Sequence, residues 1–135
     1  MKPWIFDAGA VIAFLRHEPG GDIVHQLLHD TKHHRYIHAT NLCEVYYDFV
    51  RLFGVEYARS VLDILAAAGL ICSRDMDEEF WHDAGQIKAR YRRISLADCY
   101  GLSLTRRLKG EFITTDHHEM DLLKQAGTCE IRFIR

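Results

Sequence analysis

The sequence has only two prolines in 135 residues, and its nine glycines form no rich stretch. That excludes a linker-rich or collagen-like chain. No run approaches the roughly 18 apolar residues of a membrane helix. The opening segment MKPWIFDAG reaches an acid at Asp7 before a secretory core can form, so a cytoplasmic protein with no membrane contact is expected. The four cysteines, Cys43, Cys72, Cys99 and Cys129, contain no C-x-x-C pair. Zinc ribbons and thioredoxin-like motifs fail on spacing, and the thiols are expected as small buried hydrophobes. An excess of one charge is missing too: 17 Lys and Arg stand against 19 Asp and Glu, a net charge of −2. Such a chain is no general coat for nucleic acid, and it binds nucleic acid only if its charges are segregated.

What is present is a 48% hydrophobic composition, ample for a packed core. The length fits one domain, 1–135. Short apolar runs at 4–6, 36–39, 70–72, 112–114 and 131–134 read as strands. Segments with helical spacing lie between them: 9–17, 22–31, 41–54, a run from Val55 stopped by Gly69, 77–92, 95–110 and 117–126. Strands alternating with helices or helix pairs imply an α/β fold, a parallel sheet covered on both faces.

In open parallel sheets, ligands bind at the carboxyl ends of the strands. Asp7 follows the first strand and Asp116 the fourth. Glu44 is expected in the first turn of the helix after the second strand, and Asp98 in the first turn of the helix starting at Ser95. Each acid also has an ordinary explanation. Asn41-x-x-Glu44 and Asp116-x-x-Glu119 fit capping boxes, Ser95-x-x-Asp98 comes close, and acids suit helix N-termini. Capping, however, does not require these helix starts to meet. Two carboxylates about 4 Å apart repel by about 4 kcal/mol at an effective dielectric near 20. A converged cluster therefore needs a cation or a shared proton. Oxygen ligands favour Mg²⁺ or Mn²⁺, and such an ion can activate water and neutralise a phosphate. The chemistry implied is phosphodiester hydrolysis.

The order of the acids resembles the PIN domain, the nuclease fold of VapC-type toxins. The matching pieces are IFDAGAVIAFL around Asp7, NLCEV around Glu44, ISLADCYGLSLT around Asp98 and FITTD around Asp116. The resemblance spans essentially the whole chain and is most specific before Asp98 and at Thr114-x-Asp116. It implies a three-layer α/β/α fold of about five strands in the order 3-2-1-4-5. It also implies that Asp7, Glu44, Asp98 and Asp116 form the catalytic set and coordinate Mg²⁺ or Mn²⁺. Similar proteins cut RNA, often as homodimers silenced by a small antitoxin. One departure is plain: the family often has Ser or Thr within two residues of the first Asp, whereas Ala8 and Gly9 stand here.

Other features are weighed against simpler roles. Lys88, Arg90, Arg92 and Arg93 crowd around Tyr91, and Arg106, Arg107 and Lys109 lie at the far end of the next helix. A phosphate-tracking groove is one reading, with Arg90, Arg92, Arg93 and Thr114 as candidate substrate contacts. Solvated helix ends are the other. Tyr91 fits the core stripe better than a stacking role. Arg51 is expected to pair with Asp48. His25, His29 and His33 recur every four residues, but Gln26 spoils H-E-x-x-H, so an exposed, adventitious nickel or zinc site is the most they suggest. His117 and His118 adjoin Asp116 in a segment expected to be exposed. Tyr46 and Phe49 suit the core and Tyr47 an interface.

A dehalogenase-like phosphatase requires D-x-D after the first strand, and position 9 is glycine. A receiver domain requires an acid pair there, which is absent. The expectation is a metal-dependent endoribonuclease, with a toxin of a toxin–antitoxin pair foremost. A non-catalytic interaction module or a nuclease of RNA maturation remain the alternatives.

Overall fold

The computed structural model describes residues 1–117 and 120–135. Strand β1 (Trp4–Phe6) leads into α1 (Ala8–Leu15) and α2 (Gly21–Leu28). β2 (Arg35–His38) is followed by α3 (Ala39–Phe53) and α4 (Val55–Ala67), and β3 (Leu70–Ser73) by α5 (Glu78–Arg90) and α6 (Leu96–Leu108). β4 (Glu111–Thr114), α7 (Met120–Gln125) and β5 (Glu130–Phe133) complete the chain. The five strands are parallel in the order β3-β2-β1-β4-β5, the order that the PIN resemblance implies.

Side chains alternate across a strand, so the sheet divides two cores. Trp4 and Phe6 of β1 face one side, with α1 to α4: Val11, Val24, Leu28, Val45, Phe49 and Val61 pack there. Ile5 faces the other, with α5 to α7: Phe80, Ile87, Leu102, Met120 and Leu123 join it. β4 repeats the pattern, Ile113 to the first core and Phe112 to the second. Strands buried on both faces explain why WIF and FIT read as continuous apolar runs.

The chain winds from β1 through β2 to β3 on one side, and β4 and β5 take the other. The reversal lies between β1 and β4, paired at Phe6 and Ile113. The crevice at such a switch point is where open α/β sheets bind ligands.

Several expectations are corrected. α2 ends at Leu28, so the histidine spacing does not survive as one stripe. His25 and His29 remain near neighbours, their rings 4.4 Å apart, while His33 leaves and stacks on Trp4 at 3.7 Å. Among the described residues they form no metal group. Only Cys99 is fully buried; Cys43 is exposed, and Cys72 and Cys129 are intermediate. Cys43 lies on the outer side of α3, away from the stripe Val45 and Phe49. Among the described residues, no helix is long and apolar enough to cross a membrane.

Candidate metal centre

Asp7 is the first residue past β1 and the N-cap of α1. Its Oδ1 accepts from Ala10 N–H at 2.7 Å, and its Oδ2 accepts from the Thr114 hydroxyl. The same Thr114 oxygen accepts from Asp116 N–H at 3.0 Å. Thr114 thus joins the ends of β1 and β4 through one hydroxyl. It is wholly buried, which corrects its placement as a substrate contact: its hydroxyl has two partners and no access to a ligand.

Asp98 sits in the first turn of α6, where Ser95 caps the helix by accepting from Asp98 N–H at 3.1 Å. Glu44 is half-buried on α3. It is not in the first turn as expected, because α3 starts at Ala39 under a different cap. The His38 imidazole Nδ1 accepts from Thr40 N–H at 3.2 Å, while Nε2 lies 2.8 Å from the Asp75 carbonyl and donates to it. His38 is held below its ordinary pKa by burial, consistent with this neutral tautomer.

Asn41 is therefore released from capping. Its Oδ1 accepts from Ala8 N–H at 3.2 Å and its Nδ2 donates to the Ala97 carbonyl at 3.0 Å. One fully buried amide ties together the first turns of α1, α3 and α6; Asp7 caps α1, Asp98 lies in the first turn of α6, and Glu44 follows about one turn further along α3. Sequence reasoning missed this, since the Asn41-x-x-Glu44 spacing has a complete local explanation. The Asp116-x-x-Glu119 box and His118 lie outside the described residues.

The acids feel one another. Asp98 is pushed up to about 8, first by burial and then by the charges of Asp7, Glu44 and Asp116. Asp7 is raised to about 7 by burial, with Asp116 and Glu44 adding to the rise against the two hydrogen bonds that lower it. Glu44 is raised by burial. No cation contributes to any of these shifts. Among the described residues, no three His, Cys, Asp or Glu side chains stand close enough to hold an ion as they are. The donor set itself suits a hard divalent cation. It is all oxygen and carries excess negative charge.

The surrounding cations separate into two groups. α5 stops at Arg90, and the turn that follows runs directly into Ser95 and the Asp98 helix. Arg90, Arg92 and Arg93 are exposed there. The Lys88 ammonium donates to the Arg92 and Ile94 carbonyls at 2.7 and 2.6 Å and staples the turn. Tyr91 is buried in the second core as expected. In the far group, two of the cations are engaged by acids. Arg107 grips Asp77 through two hydrogen bonds of 2.6 and 2.9 Å, and Arg106 lies 3.5 Å from Asp83. These two line a groove of about 770 Å³ along α5 and α6 that none of the four acids borders.

Arg51 pairs with Asp48 at 2.8 Å, as its spacing predicts. Tyr47 is exposed, as expected, and Phe49 buried. His117 is anchored as well as exposed: its Nε2 lies 2.7 Å from the Arg135 carbonyl, and its ring stacks on Phe133 at 4.0 Å.

An open parallel α/β sheet with carboxylates gathered at its switch point defines the class of protein. A comparison with protein families matches the PIN domain over residues 5–124, and the chain belongs to that family. Curated proteins include no match. Solved structures share the fold. The chain is similar to VapBC2 of Rickettsia felis bound to a promoter DNA fragment, with 16% identity over 96% of this chain and 97% of that one, TM-score 0.70. VapBC-1 of nontypeable Haemophilus influenzae shows 14% identity over 97% of each chain, TM-score 0.70. A toxin–antitoxin complex from Klebsiella pneumoniae shows 14% identity over 97% of each chain, TM-score 0.69.

Proposed function

We propose that this PIN-family chain is a Mg²⁺- or Mn²⁺-dependent endoribonuclease, the toxin of a toxin–antitoxin pair. The observation that carries the reading is Asp98: a buried acid pushed up to about 8 by burial and three like charges, with no cation to relieve it. A divalent ion held by Asp7, Asp98 and Asp116 relieves that strain. When bound, it supplies an activated water and a counter-charge for the scissile phosphate.

The chain's own residues do the rest. Thr114 and Ala10 N–H hold both oxygens of Asp7 in one orientation. Ser95 fixes the backbone of Asp98, and Asn41 keeps the two helix starts in register. Glu44, half-buried and within electrostatic reach of both aspartates, orients the attacking water or joins the centre through one. Water attack leaves a 5′-phosphate and a 3′-hydroxyl, and no side-chain nucleophile is required. Arg90, Arg92 and Arg93, on the turn leading to Asp98, lie where an RNA backbone can approach.

Structural likeness to VapBC complexes supports a small antitoxin as partner. A homodimer is part of the same reading, with exposed Tyr47, Phe53 and Tyr57 on α3 and α4 as its apolar surface.

The test is cleavage of tRNAs, rRNA fragments and single-stranded DNA, with Mg²⁺, Mn²⁺ or chelator, by wild type and Asp98→Asn. Metal-dependent RNA cleavage is expected, lost in Asp98→Asn by at least about 100-fold (close to 3 kcal/mol of barrier). The variant's metal-free melting temperature should hold or rise, since a repelling charge is gone. Cleavage that persists in chelator rejects the mechanism, and a variant that melts well below wild type without metal rejects the cluster. The product of the neighbouring gene should block cleavage. Unchanged activity when it is saturating would leave a nuclease without the toxin role.

A further inference from the structure

Gly9 lies in the first turn of α1, two residues beyond Asp7. Its backbone does not require glycine, because its φ is not among the positive ones. A helical glycine is ordinarily a liability compared with alanine. What it makes room for is specific. A Cβ at position 9 would fall on the Thr115 hydroxyl oxygen, 3.7 Å from Thr115 Cβ and 3.6 Å from Asp7 Oδ1. The space that a side chain at position 9 would occupy beside Asp7 is filled from another element, by the bend after β4.

The two neighbouring threonines divide their roles. Thr114 is buried, and its hydroxyl is engaged by Asp7 Oδ2 and Asp116 N–H. Thr115 is only partly buried, and no described residue hydrogen-bonds to its hydroxyl. A Cβ at position 9 would meet both this hydroxyl and Asp7 Oδ1, the oxygen that Thr114 leaves alone. A partly exposed hydroxyl that borders the same small space as a carboxylate oxygen, without bonding to it, is placed to reach it through one bridging water.

We propose that Thr115 is a positioning residue of the metal centre: its hydroxyl, seated in the space that Gly9 leaves open, orients a water beside Asp7 Oδ1 when a divalent ion is bound. This rests on the metal-centre reading above. Outer partners of this kind commonly set metal affinity by about 10- to 100-fold.

The probe is Mn²⁺ alone, titrated calorimetrically into the full chain, with metal-free melting measured in parallel. Thr115→Val keeps the shape and removes the hydroxyl, so Mn²⁺ affinity should fall about tenfold with melting unchanged, and Thr115→Ser should retain wild-type affinity. Gly9→Ser places an atom on the Thr115 hydroxyl and should lower the melting temperature. Gly9→Ser combined with Thr115→Ala should recover both melting and affinity, because the hydroxyl returns to the same place from α1. Thr115→Val binding Mn²⁺ like wild type, or losing affinity only together with melting temperature, overturns the proposal. So does a double variant no better than Thr115→Ala. Asp98→Asn separates the two readings: if it binds Mn²⁺ like wild type, the metal centre falls and Thr115's role with it. If Asp98→Asn loses binding and Thr115→Val does not, only the role of Thr115 falls.

Discussion

Asp7 and Asp98 differ from most carboxylates in which protonation state the fold prefers. Their folded pKa values, about 7 and about 8, lie above the ordinary carboxylate value near 4. A raised acid contributes stability that is fully present below the unfolded value and lost as pH rises through the folded one. The metal-free protein should therefore melt at a lower temperature at pH 8 than at pH 5, with most of the loss between pH 5 and 8. Asp77 runs the opposite way, but its window lies lower. Hydrogen bonds from Arg107 hold it down to about 2, so its contribution is complete above about 4 and does not mask the trend. Saturating Mn²⁺ should flatten the loss, because a metal binds the ionised form. Melting curves from pH 5 to 8, with chelator and with Mn²⁺, check this. His38, held low by burial, adds stability with rising pH only up to its ordinary value near 6.5, so a metal-free protein that gains stability between about pH 7 and 8 would mean the two acids are not buried against one another.

At the scale of elements, α6 determines the site, and Gly101 determines how closely α6 lies on the sheet. A Cβ there would meet the Phe112 ring at 2.6 Å and Asn41 Nδ2 at 3.2 Å. Both neighbours are fully buried, one in a filled core and the other held by two hydrogen bonds. Helix propensity would favour Gly101→Ala by at most about 1 kcal/mol, whereas overpacking typically costs about 1–3 kcal/mol. The variant should melt lower and bind Mn²⁺ more weakly, as the helix start carrying Asp98 shifts. Gly85→Ala on α5, where a Cβ meets nothing within 4 Å, should be neutral or stabilising and serves as the control. Elements of this kind were legible in the sequence where hydrophobic period and cap agree: Ser95 does cap α6, and the strands at Trp4, Leu70 and Phe112 are observed. Asn41, His38 and Lys88 were not legible. Asn41 and His38 satisfy backbone groups that only the tertiary fold brings near, Lys88 satisfies carbonyls of an irregular turn that no periodicity marks, and each had an adequate local explanation. Thr115 was hidden for the same reason, since the space at Gly9 is filled from a strand end more than a hundred residues away in sequence.

For the molecule as a whole, a net charge of −2 is the sum of unlike regions. Much of the positive charge is neutralised locally: Arg107 by Asp75 and Asp77, Arg106 by Asp83, Arg51 by Asp48, Arg132 by Glu111. Asp7, Glu44 and Asp98 have no such partner among the described ion pairs, and an ion bound there would cancel part of their field. Arg90 and Arg92, exposed at the approach to Asp98, would then be joined by a less repulsive crevice. RNA affinity should accordingly rise when Ca²⁺, a divalent ion chosen to allow binding without turnover, is added. It should fall with salt along a slope of about 0.7 for each phosphate neutralised on a single strand. Arg90→Gln with Arg92→Gln should reduce that slope by about 1.4 if both contact phosphate. Mn²⁺ affinity should be left intact, because neither arginine is among the groups that act on Asp7, Glu44 or Asp98. Arg107→Gln is the contrasting variant. Its guanidinium is already held by Asp75 and Asp77, so the slope should not change. Fluorescence anisotropy of a labelled single-stranded RNA over a salt series measures both. An unchanged slope in the double variant, or a reduced slope in Arg107→Gln, would place the RNA path on the α5–α6 groove instead of the turn before Asp98.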